Sequence, residues 1–68
     1  SNITVLYNLS ICFLAKGQLE EACKTLEKLI SLDSENSSFW VLLGNTYEQL
    51  SRHRIAVDCF NKSLKLAR

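Results

Sequence analysis

Apolar residues recur along the chain with the period of an α-helix, in four separate stretches. The first stretch shows the i, i+3, i+4, i+7 spacing of one helix face, at Leu6, Leu9, Ser10 and Phe13. Gly17, Ser51 and the polar run 33–38 interrupt the pattern, as helix ends require. We therefore predict an all-α fold, with helices over residues 3–16, 19–32, 37–50 and 53–67.

The first two predicted helices and the last two carry the same pattern, displaced along the chain by a constant offset. When residues 34 positions apart are compared, few are identical, but Leu9 matches Leu43 and Ala22 matches Ala56. Size classes agree more widely, since large residues fall on large ones and small on small. A repeat of about 34 residues indicates stacked helical hairpins. We predict two such units, residues 3–36 and residues 37–68.

Each predicted hairpin carries small residues at the contact between its two helices. Ser10 and Gly44 lie within the apolar face of the first helix, and Ala22 and Ala56 lie on the second helix. Small side chains at facing positions allow two helices to approach closely. Gly44 costs about 1 kcal/mol of helix propensity, so we expect a packing reason for it.

The second unit closely resembles a tetratricopeptide repeat (TPR), at the positions Trp40, Leu43, Gly44, Tyr47, Ala56 and Phe60. The first unit is a looser copy, with Leu6 for the aromatic residue and Ser10 for the glycine. Both units lack the family's frequent proline; Ser34 and Arg68 stand there. The resemblance implies a right-handed α-solenoid that serves as a non-catalytic scaffold for protein or peptide partners. About three repeats are usually needed for stability, so we expect neighbouring repeats in a longer parent chain.

The resemblance also implies a binding surface, because the first helix of each TPR hairpin lines a concave groove where partner peptides lie. We call the corresponding positions of this chain the groove face, and they are Tyr7, Ile11, Leu14, Val41, Asn45, Glu48 and Gln49. We expect an apolar anchor of the partner over the first three residues, hydrogen bonds from the amides, and a preference of Glu48 for a basic side chain. The apolar half of this face equally fits contact with a preceding repeat.

One TPR subclass binds a chaperone's C-terminal carboxylate with lysine, asparagine and arginine side chains, and this chain departs from that pattern. In one register Asn45 fits, but Val41 replaces the first lysine. In the other register Asn8 fits, but Ser38 and Leu42 replace the lysine and the arginine. The sequence therefore predicts that the chain is not a chaperone carboxylate clamp.

Charge weighs against nucleic acid and membranes as partners. Eight basic and seven acidic residues give a net charge of +1. The sequence contains no run of about 18 apolar residues, which is the length that a membrane-spanning helix needs. The main alternative function is RNA binding by a helical array of the pentatricopeptide type, which has nearly the same period. Such arrays normally present a basic groove, whereas this groove face carries Glu48 and no lysine or arginine.

No residue constellation indicates catalysis, a cofactor or a metal. His53 is the only histidine, and we expect it in an exposed turn. We expect its neighbours Arg52 and Arg54 to be solvated there rather than to form an anion-binding site. The sequence has three cysteines, Cys12, Cys23 and Cys59, an odd number with wide spacing. This favours a role of the cysteines as small apolar residues in or beside helix contacts. Free buried thiols suit the cytoplasm or the nucleus.

The last helix carries apolar side chains that no later part of this sequence covers. Phe60, Leu64 and Leu66 are expected to form an open C-terminal face. We expect a further hairpin or a capping helix to pack there, or copies of the chain to self-associate through this face.

Overall fold

The computed structural model describes residues 2–67 and shows four α-helices there. They are α1 (Asn2–Ala15), α2 (Leu19–Leu32), α3 (Ser37–Gln49) and α4 (His53–Leu66). The all-α prediction is confirmed, and each helix end lies within one residue of its predicted position. Arg68, the last residue of the second predicted unit, lies outside the described residues. The helices pack as α1 on α2, α3 on α4, and α2 on α3, which joins the two hairpins.

The turn that ends α1 is a left-handed cap at Gly17, one of the residues at which the helical pattern of the sequence is interrupted. Gly17 has a φ angle of 75°, and its N–H donates to the Leu14 carbonyl oxygen at 3.1 Å. The N–H of Gln18 donates to the Phe13 carbonyl oxygen at 2.9 Å. These two bonds form a Schellman motif, which satisfies carbonyl groups at the helix end.

The same motif ends α3, one repeat later in the chain, but a serine occupies the left-handed position. Ser51 has a φ angle of 63° and donates its N–H to the Glu48 carbonyl oxygen at 3.0 Å. The N–H of Arg52 donates to the Tyr47 carbonyl oxygen at 2.8 Å. Both hairpins therefore share one turn geometry, although only the first has the glycine that this backbone conformation favours.

We expect Ser51→Gly to stabilise the chain by about 0.5–1 kcal/mol, because glycine adopts this φ angle without the steric cost of a Cβ atom. The reverse change, Gly17→Ser, should destabilise it by a similar amount. A Cβ atom at Gly17 would meet nothing within 4 Å, so only the backbone conformation contributes there. Urea unfolding of both variants measures the two changes, and equal stabilities for Ser51→Gly and the parent chain would contradict this account.

The connection between the hairpins is fixed by two side chains at the start of α3. The Asn36 side chain caps α3 by accepting a hydrogen bond from the Ser38 N–H at 3.0 Å. The indole N–H of Trp40 donates to the Ser34 carbonyl oxygen at 3.0 Å. Trp40 is half-buried and also packs on the core, as its place in the repeat pattern implies.

The buried core lies where the two hairpins meet. One apolar cluster takes residues from three helices, namely Cys23, Leu26, Leu29, Phe39, Leu43 and Cys59. The four small residues predicted at the helix contacts are all buried as well. Ser10 is polar but satisfied, because its hydroxyl donates to the Tyr7 carbonyl oxygen at 2.7 Å.

Gly44 has the packing reason that the sequence suggested. A Cβ atom built at Gly44 would lie 2.7 Å from Cε1 of Phe60. The ring of Phe60 therefore occupies the space that a side chain would need. Phe60 was predicted to belong to the open C-terminal face, and in the structure it is half-buried because α3 covers one side of it.

Two residues of the apolar helical stripes are exposed. Leu9 belongs to the predicted apolar face of α1, and Ile55 begins the corresponding stripe of α4 at positions 55, 56, 59, 60 and 64, but both side chains are exposed. Leu43, the counterpart of Leu9, is buried because α2 packs on α3. Leu9 has no such cover, since the close helical neighbour of α1 within residues 2–67 is α2 alone. Helical periodicity predicts which side of α1 carries Leu9. Whether Leu9 is buried depends on whether another helix packs on that side.

A side-chain hydrogen bond also joins α2 to α3. The hydroxyl of Tyr47 donates to Oε2 of Glu27 at 2.7 Å. This bond, followed by burial, raises the pKa of Tyr47 above its ordinary value of 10. The phenol is therefore protonated throughout the neutral range and holds the two helices together there.

The hydrogen bond makes stability depend on pH at the alkaline end. Because folding raises the pKa of Tyr47, its contribution is fully present below the pKa of the unfolded phenol and is lost at higher pH. We expect Tyr47→Phe to cost about 0.5–1.5 kcal/mol at pH 7, and the difference from the parent chain to shrink above pH 10. Urea unfolding at several pH values measures this, and a constant difference would contradict the assignment.

Candidate functional site

The predicted groove face is exposed on one side of α1 and α3. Tyr7, Ile11 and Val41 keep 37–39% of their surface accessible, and Leu14 is half-buried. They lie beside, not on, the stripe that packs against the second helix of each hairpin. Large apolar side chains that stay exposed on one predicted face make that face a candidate interaction surface.

An aromatic contact brings the two groove helices together. The ring centroids of Tyr7 and Phe39 lie 5.9 Å apart, with 36° between the ring planes, a spacing typical of favourable aromatic pairs. Next to this contact is a hollow of about 280 Å³, lined by Ile3, Thr4, Tyr7, Asn36, Ser38 and Phe39. The sequence analysis did not assign Phe39 to the groove, and Phe39 is a core residue, 4% exposed, whose ring makes this contact.

The groove face differs from the surface on which repeats stack, and the ring contact of Tyr7 with Phe39 lies where the two surfaces meet. In α3, Phe39 and Leu43 belong to the cluster shared with α2. Their counterparts one repeat earlier, in α1, are Val5 and Leu9, which point to a different side of the helix from Ile11. A preceding hairpin packed like α2 on α3 would cover Val5 and Leu9 and leave Ile11 accessible.

The α3 half of the groove face is polar. Asn45, Glu48 and Gln49 are exposed, and the two amides offer both donors and acceptors. Oε1 of Glu48 lies 3.0 Å from Nδ1 of His53, and both side chains are more than half exposed. His53 is therefore exposed as predicted. A basic group of a partner would contact the same Glu48 carboxylate as His53 does.

Another pocket lies on the other side of α3 and contains none of the predicted site residues. It has a volume of about 480 Å³ and a mainly apolar lining of Glu27, Ile30, Trp40, Leu43, Tyr47, Ile55, Asp58, Cys59 and Lys62. We call it the α2–α4 pocket. The sequence analysis assigned its aromatic residues, Trp40 and Tyr47, to the repeat pattern and to no binding surface. Their polar atoms, an indole N–H and a phenol, were the available signal that one edge of each reaches the surface.

The cysteines do not form a reactive site among the described residues. Cys23 and Cys59 are buried and Cys12 is exposed, all three as free thiols. Burial, followed by the negative charges nearby, raises the pKa of Cys23 and of Cys59. Such thiols stay protonated at neutral pH and are weak nucleophiles. Within residues 2–67 no three histidine, cysteine or acidic side chains are grouped as metal ligands.

The lengths of the four helices can be compared with the length that is needed to cross a membrane. The longest have 14 residues, whereas spanning a bilayer takes about 20. None of the helices in the described part of the chain is long and apolar enough to cross a membrane.

Comparison with known families agrees with the geometry. A TPR repeat profile matches residues 13–51, across the junction of the two hairpins. A second profile, described as a tetratricopeptide repeat, matches residues 37–68. Among curated protein sequences none matches the chain. The first profile covers more than half of the chain, and the fold has the paired helices and small-residue contacts that these repeats need, so the chain belongs to the tetratricopeptide repeat family.

Proposed function

We propose that this chain is a non-catalytic protein-interaction module that holds a segment of a partner protein along its groove face. TPR repeats generally serve as protein-protein interaction modules. The observation that carries the proposal is that Tyr7, Ile11 and Val41 stay exposed although the two hairpins are stacked, and that none of the three belongs to the cluster that joins the hairpins.

The chemistry of the groove face defines the partner segment. A large apolar side chain of the partner packs over Tyr7 and Ile11, where α1 carries no charged residue. Across the groove, Asn45 and Gln49 hydrogen-bond to the partner's backbone, because an amide pairs with both the N–H and the carbonyl group. Glu48 favours a basic side chain at the end nearest His53.

The same surface disfavours RNA as the ligand. Neither α1 nor α3 carries a lysine or an arginine, and Glu48 adds negative charge. Phosphate contacts from basic side chains supply most of the affinity of RNA-binding surfaces. We therefore place the pentatricopeptide-type alternative second, and we assign no catalytic step to the chain.

Selection from a displayed library of random peptides, with the complete chain as bait, tests the proposal. Calorimetric titration of a selected peptide then measures binding to the variants Ile11→Ala and Asn45→Ala. We expect each change to weaken binding about three- to tenfold, which corresponds to about 0.7–1.4 kcal/mol, without unfolding the chain. The reason is that each variant removes a contact while the helix beneath it stays intact.

Ile55→Ala is a matched control. Ile55 is 41% exposed and Ile11 is 39% exposed, but Ile55 lines the α2–α4 pocket on the other side of α3. Binding that is weakened by Ile55→Ala and unaffected by Ile11→Ala would overturn the groove assignment. Salt-resistant, sequence-dependent binding of single-stranded RNA, measured by fluorescence anisotropy, would favour the alternative function instead.

A further inference from the structure

The α2–α4 pocket is an open hollow built by three helices, and it shares no residue with the groove face. Its floor consists of Leu43 from α3 and Cys59 from α4, which are buried and belong to the core cluster. Ile30 adds an apolar wall from α2 and packs on the same cluster. The volume of about 480 Å³ lies within the range of about 300–1,000 Å³ that is usual for ligand sites. Because the floor is part of the core, the pocket exists before any ligand binds.

Two aromatic side chains in the pocket lining are held in place by hydrogen bonds. The indole N–H of Trp40 donates to the Ser34 carbonyl oxygen at 3.0 Å, and the hydroxyl of Tyr47 donates to Oε2 of Glu27 at 2.7 Å. Each ring is therefore positioned, and its polar atom is already engaged by the protein. What the two rings offer to a ligand is carbon and π surface, which packs on apolar groups and attracts cations.

The charged residues of the pocket lining are mainly acidic. Glu27 stands on α2 and Asp58 on α4, so two carboxylates border the same hollow, and Lys62 is the one basic residue of the lining. All three side chains are exposed. Both ion pairs found within residues 2–67 involve other residues. The pocket thus combines apolar walls with a net negative charge that no salt bridge in this part of the chain neutralises.

We propose that the α2–α4 pocket binds a small organic cation with an apolar body, of the class of the substituted ammonium compounds. The apolar body packs on Ile30 and Leu43 and between the two aromatic rings, and the positive charge lies toward Glu27 and Asp58. A neutral compound of the same shape lacks the attraction of the rings and of the carboxylates, and an anion is repelled. The site lies on the other side of α3 from the groove face, so it does not rest on the proposed function.

Trp40 reports directly on this pocket, because it is the only tryptophan of the chain and lines the hollow. The complete chain is titrated with benzyltrimethylammonium, benzyl alcohol and phenylacetate, which share one aromatic body and are cationic, neutral and anionic. Tryptophan fluorescence is recorded, together with the amide chemical shifts of Ile55 and Asp58. We expect the cation to bind with a Kd of about 0.1–1 mM, about three- to tenfold more tightly than the alcohol. Phenylacetate should bind most weakly.

Two substitutions at the rim of the pocket should act in opposite directions on the affinity for benzyltrimethylammonium. Asp58→Asn removes a negative charge and should weaken binding about two- to fourfold, while Lys62→Gln removes the positive charge and should tighten it by a similar factor. Both sites are exposed, so the chain should stay folded, which circular dichroism checks. Asp33→Asn is the matched control, since it makes the same change outside the pocket lining and should leave the affinity as it is.

Three results would overturn the proposal. The first is unchanged fluorescence and unchanged amide shifts with benzyltrimethylammonium up to about 10 mM. The second is equal affinity for the cation and the alcohol, or weaker binding of the cation to the Lys62→Gln variant, because charge would then not select the ligand. The third is tighter binding of N-acetyl-arginine amide than of benzyltrimethylammonium, because that would indicate a basic side chain of a protein as the ligand.

Discussion

Replacing Leu26 with alanine is expected to remove a large part of the chain's stability. Leu26 has no accessible surface and belongs to the cluster that links α2, α3 and α4. Truncating a fully buried leucine costs about 2–5 kcal/mol, because transfer energy is lost and a cavity remains. Proteins retain only about 0.05–0.15 kcal/mol of stability per residue, so this loss is comparable to the total stability of a chain of this size.

Urea unfolding followed by helical circular dichroism measures this effect. Leu64→Ala is the matched control, since it makes the same change at a leucine that is 70% exposed, and we expect it to alter stability by less than about 0.5 kcal/mol. Samples should be dilute, so that association does not add to stability. Equal losses for the two variants would mean that the junction between the hairpins is not the core.

The second large effect is expected at Gly44, where Gly44→Ala should destabilise the chain despite the better helix propensity of alanine. The new methyl group would lie 2.7 Å from the ring of Phe60. Overpacking of this kind costs about 1–3 kcal/mol, while the change of residue gains about 1 kcal/mol of propensity. Since Phe60 is half-buried and can shift, we expect a net loss of about 1 kcal/mol.

The first hairpin supplies the compensating change. There the corresponding pair is Ser10 with Leu26, a larger residue on the first helix and a smaller one on the second. We expect Phe60→Leu to remove most of the destabilisation that Gly44→Ala causes, so that the double variant is more stable than the sum of the single changes predicts. Strict additivity in thermal or urea unfolding would show that the ring of Phe60 is not the obstacle.

Local features of the fold were predictable from the sequence because short-range rules decide them. The helix ends follow from periodicity and from breakers such as Gly17, and the asparagine cap lies within the polar run where a cap was expected. The exposure of Leu9 was not predictable, because Leu9 and Leu43 have the same place in the repeat and differ only in whether another helix covers them. The left-handed conformation of Ser51 was encoded by its place one repeat after Gly17, but its polarity alone indicated only a turn.

The candidate site was less predictable than the fold. The family pattern supplies the groove face, and the structure shows that its apolar members are accessible. The structure also reveals the α2–α4 pocket. Helical periodicity predicts only that Trp40 and Tyr47 face other helices. It cannot show that one edge of each ring also lines a pocket at the surface. The chain therefore has two accessible surfaces with apolar residues, on opposite sides of α3.

Amide chemical-shift mapping of the isotopically labelled chain with a library-selected peptide distinguishes these two surfaces most directly. We predict that the perturbed amides cluster along α1 and α3, at Tyr7, Ile11, Val41 and Asn45, and that those at Ile55 and Asp58 stay unchanged. Perturbations concentrated around Ile55, Asp58 and Lys62, with α1 unaffected, would place the binding site in the α2–α4 pocket and contradict the account.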